Sequence, residues 1–155
     1  MKIAFAFALL AGLLLAGPNT PMSAYGFFAE GVQLSVDQKI SIAEKQHEIA
    51  KLLIKDGQFE RVLPEMRKIL DLNLQGEDEE LVAKSSSFIA YQLAESKQVG
   101  LAHRLLDETV ARMKQRENVA ALLKIKAYLF KSEGKLQKAI ETLERAVEIE
   151  RQNAQ

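Results

Sequence analysis

One pattern of small residues, large apolar residues and a turn residue occurs three times in this chain of 155 residues. Its clearest copy contains Ala127 and Phe130, then Gly134 at a turn, then Ala139 and Ala146. Helices that meet through small side chains can approach closely, and a repeat of this length is typical of stacked helix pairs. The pattern therefore predicts an all-α fold whose repeating unit is two antiparallel helices.

The same register is found twice upstream. The first copy contains Ala50, Leu53, Gly57, Phe59, Val62, Met66 and Ile69. The second copy contains Ala90, Leu93, Lys97, Val99, Ala102, Leu106 and Thr109. The turn positions 57, 97 and 134 lie 40 and 37 residues apart, so the spacing within each helix pair is kept and the extra residues fall between pairs. This predicts units at about 43–76, 83–116 and 120–153.

These residues and spacings make residues 43–153 similar to the tetratricopeptide repeat family. The third unit resembles the family most, whereas the second has Lys97 in place of the turn glycine. The family's tryptophan position is occupied by Gln46, Ser86 and Leu123. The resemblance implies a repeat domain at residues 35–155, with three stacked antiparallel helix pairs forming an α-solenoid and a right-handed superhelix. An unrelated six-helix bundle is the alternative.

Local signals predict how several helices begin. Ser35 and Gln38 have the spacing of a capping box, in which each side chain bonds the other residue's amide. Pro64 falls in the second helix and predicts either a late helix start or a mild kink, because proline has no amide hydrogen to donate. Asp78 and Asn118 are the predicted caps of the third and fifth helices.

An apolar segment occupies the beginning of the chain. Lys2 precedes an uncharged run from Ile3 to Ala16. As a helix this run would be about 21 Å long, which is short of the roughly 30 Å hydrocarbon core of a membrane. We therefore expect a signal peptide at residues 1–26, an unstructured lead-in at 27–34, and a periplasmic or secreted bacterial protein. Retention of the segment as a membrane anchor is the alternative.

Composition and motifs argue against several classes of function. Lys plus Arg equals Asp plus Glu at 21 each, which disfavours nucleic-acid binding through a general positive field. The absence of cysteine excludes disulfides, thiolate metal sites and a lipoprotein anchor. Glu44 and His47 have the spacing used in di-iron bundles, but the chain has no second such pair. With no phosphate-binding glycine loop or catalytic triad motif, we expect no enzyme activity, no cofactor and no metal.

The resemblance also implies where a partner would bind, because the first helix of each family unit lines a concave groove. The main candidates at groove positions are His47, Lys51, Lys55, Lys84, Tyr91, Lys124, Tyr128 and Lys131. Ile54 and Ser87 hold further positions of this kind. Lysine attracts acidic groups over a distance and tyrosine offers rigid contact area, so we expect a protein or peptide partner of acidic character. The alternative is that these side chains only form a solvated surface.

A self-associating structural component of the cell envelope is the alternative function. Repeat arrays expose apolar surface at an end unit that nothing covers. No further helix is predicted between the last repeat helix and Gln155. Under this alternative we expect exposed apolar residues such as Leu136 and Ile140, and a homo-oligomer held by them.

Overall fold

The computed structural model describes residues 33–153. Its six α-helices are α1 (Val36–Lys55), α2 (Val62–Asp71), α3 (Glu79–Glu95), α4 (Val99–Val110), α5 (Arg116–Ser132) and α6 (Leu136–Asn153). Short 3-10 helices at Phe59–Arg61 and Gly76–Asp78 lead into α2 and α3. No strand occurs in this part of the chain. The all-α fold class predicted from the sequence is confirmed.

Two sequence-based predictions concern the N-terminal part of the chain. The signal peptide expected at residues 1–26 lies outside the described residues, as does most of the lead-in expected at 27–34. Between residues 33 and 153, none of the helices combines the length and the apolar character needed to cross a bilayer.

The six helices pack as three consecutive pairs, and neighbouring pairs contact each other. The helix α1 packs on α2, α3 on α4, and α5 on α6. Between pairs, α3 contacts both α1 and α5, while α4 contacts both α2 and α5. The small residues of the repeated pattern are buried at these contacts: Ala50, Ala90, Ala102, Ala127, Ala139 and Ala146. They let neighbouring helices approach closely, as the pattern predicts.

The same turn closes α1, α3 and α5. The residue after each helix cap has a positive φ, with 75° at Gly57, 62° at Lys97 and 74° at Gly134. In each turn the next amide donates a 2.8 Å hydrogen bond to a carbonyl five residues earlier: Gln58 to Leu53, Gln98 to Leu93, and Lys135 to Phe130. This is the Schellman motif, which satisfies the last carbonyls of a helix. Positions 57, 97 and 134 are therefore structurally equivalent, although only two of them carry glycine.

Replacing Lys97 by glycine is expected to stabilise the protein. A residue with a side chain pays about 1 kcal/mol for the left-handed conformation that glycine adopts freely. Urea denaturation should therefore show that Lys97→Gly has a higher free energy of unfolding, by up to about 1 kcal/mol. The control is Ser96→Gly at the preceding residue, whose φ of −79° needs no glycine and which should lose stability. Equal losses in both variants would contradict strain at Lys97.

The local signals at the first two helices are confirmed. The Ser35 hydroxyl accepts a 3.2 Å hydrogen bond from the Gln38 amide, and the Gln38 side chain accepts one of 2.9 Å from the Ser35 amide. This is the predicted capping box. Pro64 is the third residue of α2, which begins late, at Val62. Amides of the first turn have no partner within a helix, so proline is tolerated there and the predicted late start is correct.

Two predicted helix caps are wrong. The Asp78 side chain makes no capping hydrogen bond, because a 3-10 turn runs through it directly into α3. Asn118 does not cap α5, which already begins at Arg116, and it is buried in the first turn. The acceptor at this end of α5 comes from another helix, since the Asn118 side chain donates to the carboxylate of Glu79. Local sequence signals cannot reveal a cap of this kind.

Candidate partner-binding face

The groove positions predicted from the sequence lie on α1, α3 and α5, which pack side by side. We use the term first-helix face for the surface made by His47, Lys51 and Lys55 of α1, Lys84, Phe88 and Tyr91 of α3, and Lys124, Tyr128 and Lys131 of α5. The three helices run in the same direction. Along α1 and α3, His47 meets Ser85 and then Lys51 meets Phe88; along α3 and α5, Glu79 meets Asn118 and then Tyr91 meets Tyr128. The face therefore has one edge of helix N-termini and one edge of helix C-termini.

At the junction of α1 and α3, two predicted residues meet at an aromatic ring. The Nδ1 atom of His47 lies 2.8 Å from the hydroxyl oxygen of Ser85. The His47 ring lies 5.4 Å from the ring of Phe88, and the Lys51 ammonium lies 5.9 Å from the centre of that ring. A cation at this distance from an aromatic face is attracted to it. Phe88 therefore holds the side chains of α1 and α3 together at the surface.

His47 adds little positive charge to this junction. Burial lowers its pKa below the ordinary value, and the nearby charge of Lys51 lowers it further, while Glu48 opposes the shift. The pKa of Glu48 is lowered in turn, mainly by its hydrogen bond from Lys51. At neutral pH the imidazole is therefore uncharged, and it serves as a hydrogen-bonding and stacking group.

At the junction of α3 and α5 the two predicted tyrosines meet. The rings of Tyr91 and Tyr128 are 5.7 Å apart with an interplanar angle of 61°. This edge-to-face arrangement is a favoured geometry for aromatic pairs. Tyr128 is 55% exposed, so much of its ring faces outward although it packs against its partner. The pair presents a rigid, amphipathic contact surface.

Two cavities open on the first-helix face. One of about 600 Å³ lies between α1 and α3, and its lining includes His47, Leu81 and Phe88. Another of about 700 Å³ lies between α3 and α5, and its lining includes Phe88 and Tyr91. Both are lined by Lys84 and Phe88, so they adjoin each other across α3. Cavities of this size accommodate bulky side chains.

Several lysines of the first-helix face already form ion pairs, so fewer of their charges are available to an acidic partner. Three of them lie within ion-pair distance of carboxylates: Lys51 with Glu48 at 2.7 Å, Lys84 with Glu80 at 2.9 Å, and Lys124 with Glu150 at 2.5 Å. Lys55 and Lys131 are exposed and join no ion pair within residues 33–153. Paired lysines attract a distant acid less strongly, so the expected basic stripe is reduced to the C-terminal edge of the face.

The structure adds one prominent residue and removes another. Phe88 is 44% exposed and lies at the centre of the face, although the family's groove positions include its neighbour Ser87. Its spacing from Lys84 and Tyr91, four and three residues along α3, is the signal that could have identified it. Ile54 was predicted to face the groove, but it is only 8% exposed. Its side chain belongs to the core, because the end of α1 turns it toward the other helices.

The second histidine, His103, makes contacts that stabilise the packing of the helices. The Nε2 atom of His103 lies 2.6 Å from the Glu133 carboxylate, and its ring stacks on Phe130 with the centres 4.3 Å apart. Hydrogen bonds from Lys135 and then His103 lower the pKa of Glu133. Within residues 33–153, no group of three or more His, Asp or Glu residues is placed to hold a metal ion. The contacts of His103 instead join α4 to the end of α5.

Comparison with known proteins gives no assignment: no protein-family model, curated protein or solved structure matches the chain. The functional argument therefore depends on the geometry of the first-helix face.

Proposed function

We propose that the chain is an exported, tetratricopeptide-like module that binds a protein or peptide partner along the first-helix face. The observation that carries the proposal is the aromatic surface across the helices, where exposed Phe88 and Tyr128 lie beside half-buried Tyr91 and two adjoining cavities. Rigid aromatic side chains beside well-formed pockets are the groups that most often supply binding energy at protein interfaces. The uncharged N-terminal segment after Lys2 supports export.

The charges of the first-helix face differ between its two edges and favour one orientation of a bound partner. Lys55 and Lys131 lie at the C-terminal edge, near the ends of α1 and α5. Glu77, Glu80 and Glu117 line the cavity between α3 and α5 at the N-terminal edge. A partner with acidic residues over the C-terminal edge and apolar side chains in the cavities would match this distribution. The acidic character expected from the sequence is thus proposed for one part of the partner only.

The proposal predicts that the aromatic residues control partner recovery. We expect a chemically crosslinked pull-down from the cell-envelope fraction to recover a specific partner with the parent chain. A Phe88→Ala/Tyr128→Ala variant should recover at least about tenfold less, because loss of a central aromatic contact typically costs more than 1 kcal/mol. The matched control, Lys68→Ala/Arg104→Ala, truncates two exposed residues on α2 and α4 and should bind like the parent.

Reversing the lysine charges at the C-terminal edge of the first-helix face tests how much that edge contributes to partner binding. A Lys55→Glu/Lys131→Glu variant should recover less partner at low salt, and the difference should shrink at high salt as screening removes it. Far-UV circular dichroism should show equal helicity in all variants. Equal recovery by the parent and the aromatic variant would exclude the first-helix face as the binding surface.

A further inference from the structure

The outer side of α6 carries a row of exposed apolar residues. We call it the end stripe: Leu136 (59% exposed), Ile140 (51%), Leu143 (45%) and Val147 (44%). Their spacing of four, three and four residues places them on one face of the helix. The residues of α6 that are buried are Ala139 and Ala146, which lie on a different side. Nothing between residues 33 and 153 covers the end stripe.

The equivalent surface is covered in the other two helix pairs. Met66 in α2 and Leu106 in α4 hold the repeat position of Leu143, and both are fully buried. The cover comes from the following pair, since α2 contacts α3 and α4, and α4 contacts α5. The end stripe is therefore the surface on which a further helix pair would pack. Exposed apolar rows of this kind mark an interaction site.

The first helix among the described residues, α1, has a complementary feature. A cavity of about 540 Å³, which we call the front cavity, is lined by Ile49, Leu52, Leu53, Lys55, Asp56 and Gln58. Leu52 is 62% exposed and Ile49 is 39% exposed. In the repeat, this side of α1 corresponds to the side of α5 that packs on α4. One end thus offers a row of aliphatic side chains, and the other offers a cavity with Ile49, Leu52 and Leu53 in its lining beside polar residues.

The register between α4 and α5 shows how these two ends would meet. His103 of α4 stacks on Phe130 of α5, and one turn later Asp107 pairs with Lys126, so the two helices are antiparallel. The equivalent positions are Ile140 and Glu144 in α6, and Leu53 and Ile49 in α1. The same register therefore brings Ile140 to the front cavity. One turn after Glu144 in α6 comes Glu148, and one turn before Ile49 in α1 comes Lys45. The same register therefore places Glu148 opposite Lys45, which gives opposite charges beside the apolar contact.

We propose that the end stripe of one copy packs on α1 of a second copy, with Ile140 at the front cavity, so that copies associate head to tail. A symmetric pairing of two α6 helices is less favourable, because the row Glu141, Glu144 and Glu148 beside the stripe would face the same row of the other copy. Head-to-tail contacts do not close on themselves with two copies, so association continues beyond the dimer. The contact shares Lys55 with the first-helix face but does not depend on the function proposed there.

Two variants that each block one end test the proposal on the full chain. Ile140→Glu places a charge in the end stripe, and Leu52→Glu places one at the front cavity. We expect the parent's mass in sedimentation velocity to rise beyond the dimer over about 1–200 µM, and each variant alone to associate at least about tenfold more weakly. An equimolar mixture of the two should form a dimer and stop there, because each copy retains one intact end. Ala111→Glu, an exposed site away from both ends, is the control and should behave like the parent.

Any different outcome of these sedimentation experiments would overturn the proposed head-to-tail contact. If Leu52→Glu associates like the parent while Ile140→Glu does not, the end stripe binds a surface other than the front cavity, such as another α6. If both variants associate like the parent, neither end is involved. A parent that stays monomeric throughout the range excludes a second copy as the occupant. Equal helicity by circular dichroism must accompany each comparison, which the high exposure of both substituted residues favours.

Discussion

Replacing Glu79 by alanine is expected to lower the free energy of unfolding by about 2–4 kcal/mol, because it leaves several hydrogen-bond donors without an acceptor. Glu79 is the first residue of α3 and is 2% exposed. Its carboxylate accepts hydrogen bonds from the amides of Lys114 (3.1 Å) and Gln115 (2.9 Å) and from the side chain of Asn118 (3.2 Å). One carboxylate therefore fixes the loop between α4 and α5 and the start of α5.

The neighbouring Glu80→Ala is the matched control for this prediction. Glu80 also lies in the first turn of α3 and so has a similar interaction with the helix dipole. It is exposed, however, and its one ion pair within residues 33–153 is with Lys84. Its loss should cost less than about 1 kcal/mol. Urea denaturation measures both, with unchanged m-values expected if the native and unfolded states are otherwise preserved. Similar losses in the two variants would mean that the contacts of Glu79 with the loop do not stabilise the fold.

The second large effect is expected at a repeated core position. Leu106→Ala should lower the free energy of unfolding by about 2–5 kcal/mol, because a fully buried leucine leaves a cavity when it is truncated. Leu143→Ala makes the same chemical change at the equivalent place of the third unit, where the side chain is 45% exposed. It should cost less than about 1 kcal/mol.

This pair is compared by chemical denaturation at a protein concentration at which the chain is monomeric. The condition matters because the proposed head-to-tail contact would bury Leu143 in an assembly and add to its apparent stability. A loss at Leu143 as large as that at Leu106 would show that the third helix pair is covered in the monomer. It would thereby also contradict the exposure of the end stripe among residues 33–153.

The candidate site was only partly predictable from the sequence. Tyr91 and Tyr128 were placed on a common surface by the repeat register, and their rings do meet. Phe88 was missed because the expected groove positions came from the family pattern, whereas its exposure depends on the spacing between α1, α3 and α5. The positive charge available at Lys84 and Lys124 was overestimated, because the carboxylates near these lysines were not considered. Their carboxylate partners lie four residues away on α3 in one case and on α6 in the other.

The helices and their turns followed largely from local chemistry. The capping box at Ser35 and the left-handed residues Gly57 and Gly134 act within a few residues of chain, so spacing alone reveals them. The start of α5 did not follow in this way, because its acceptor is Glu79, 39 residues before Asn118. Lys97 shows the intermediate case, in which the repeat register indicates a turn that the residue type alone does not favour.

By itself, the sequence determined the all-α class, the periodic placement of small and large apolar residues, and the positions of the three turns, since these depend on contacts within a helix or a turn. Only the tertiary structure decided which equivalent residues are buried. Met66, Leu106 and Leu143 hold one register position, yet a following helix pair covers the first two, whereas nothing between residues 33 and 153 covers the third in this way. Burial depends on what lies against a helix, and periodicity within the helix does not contain that information.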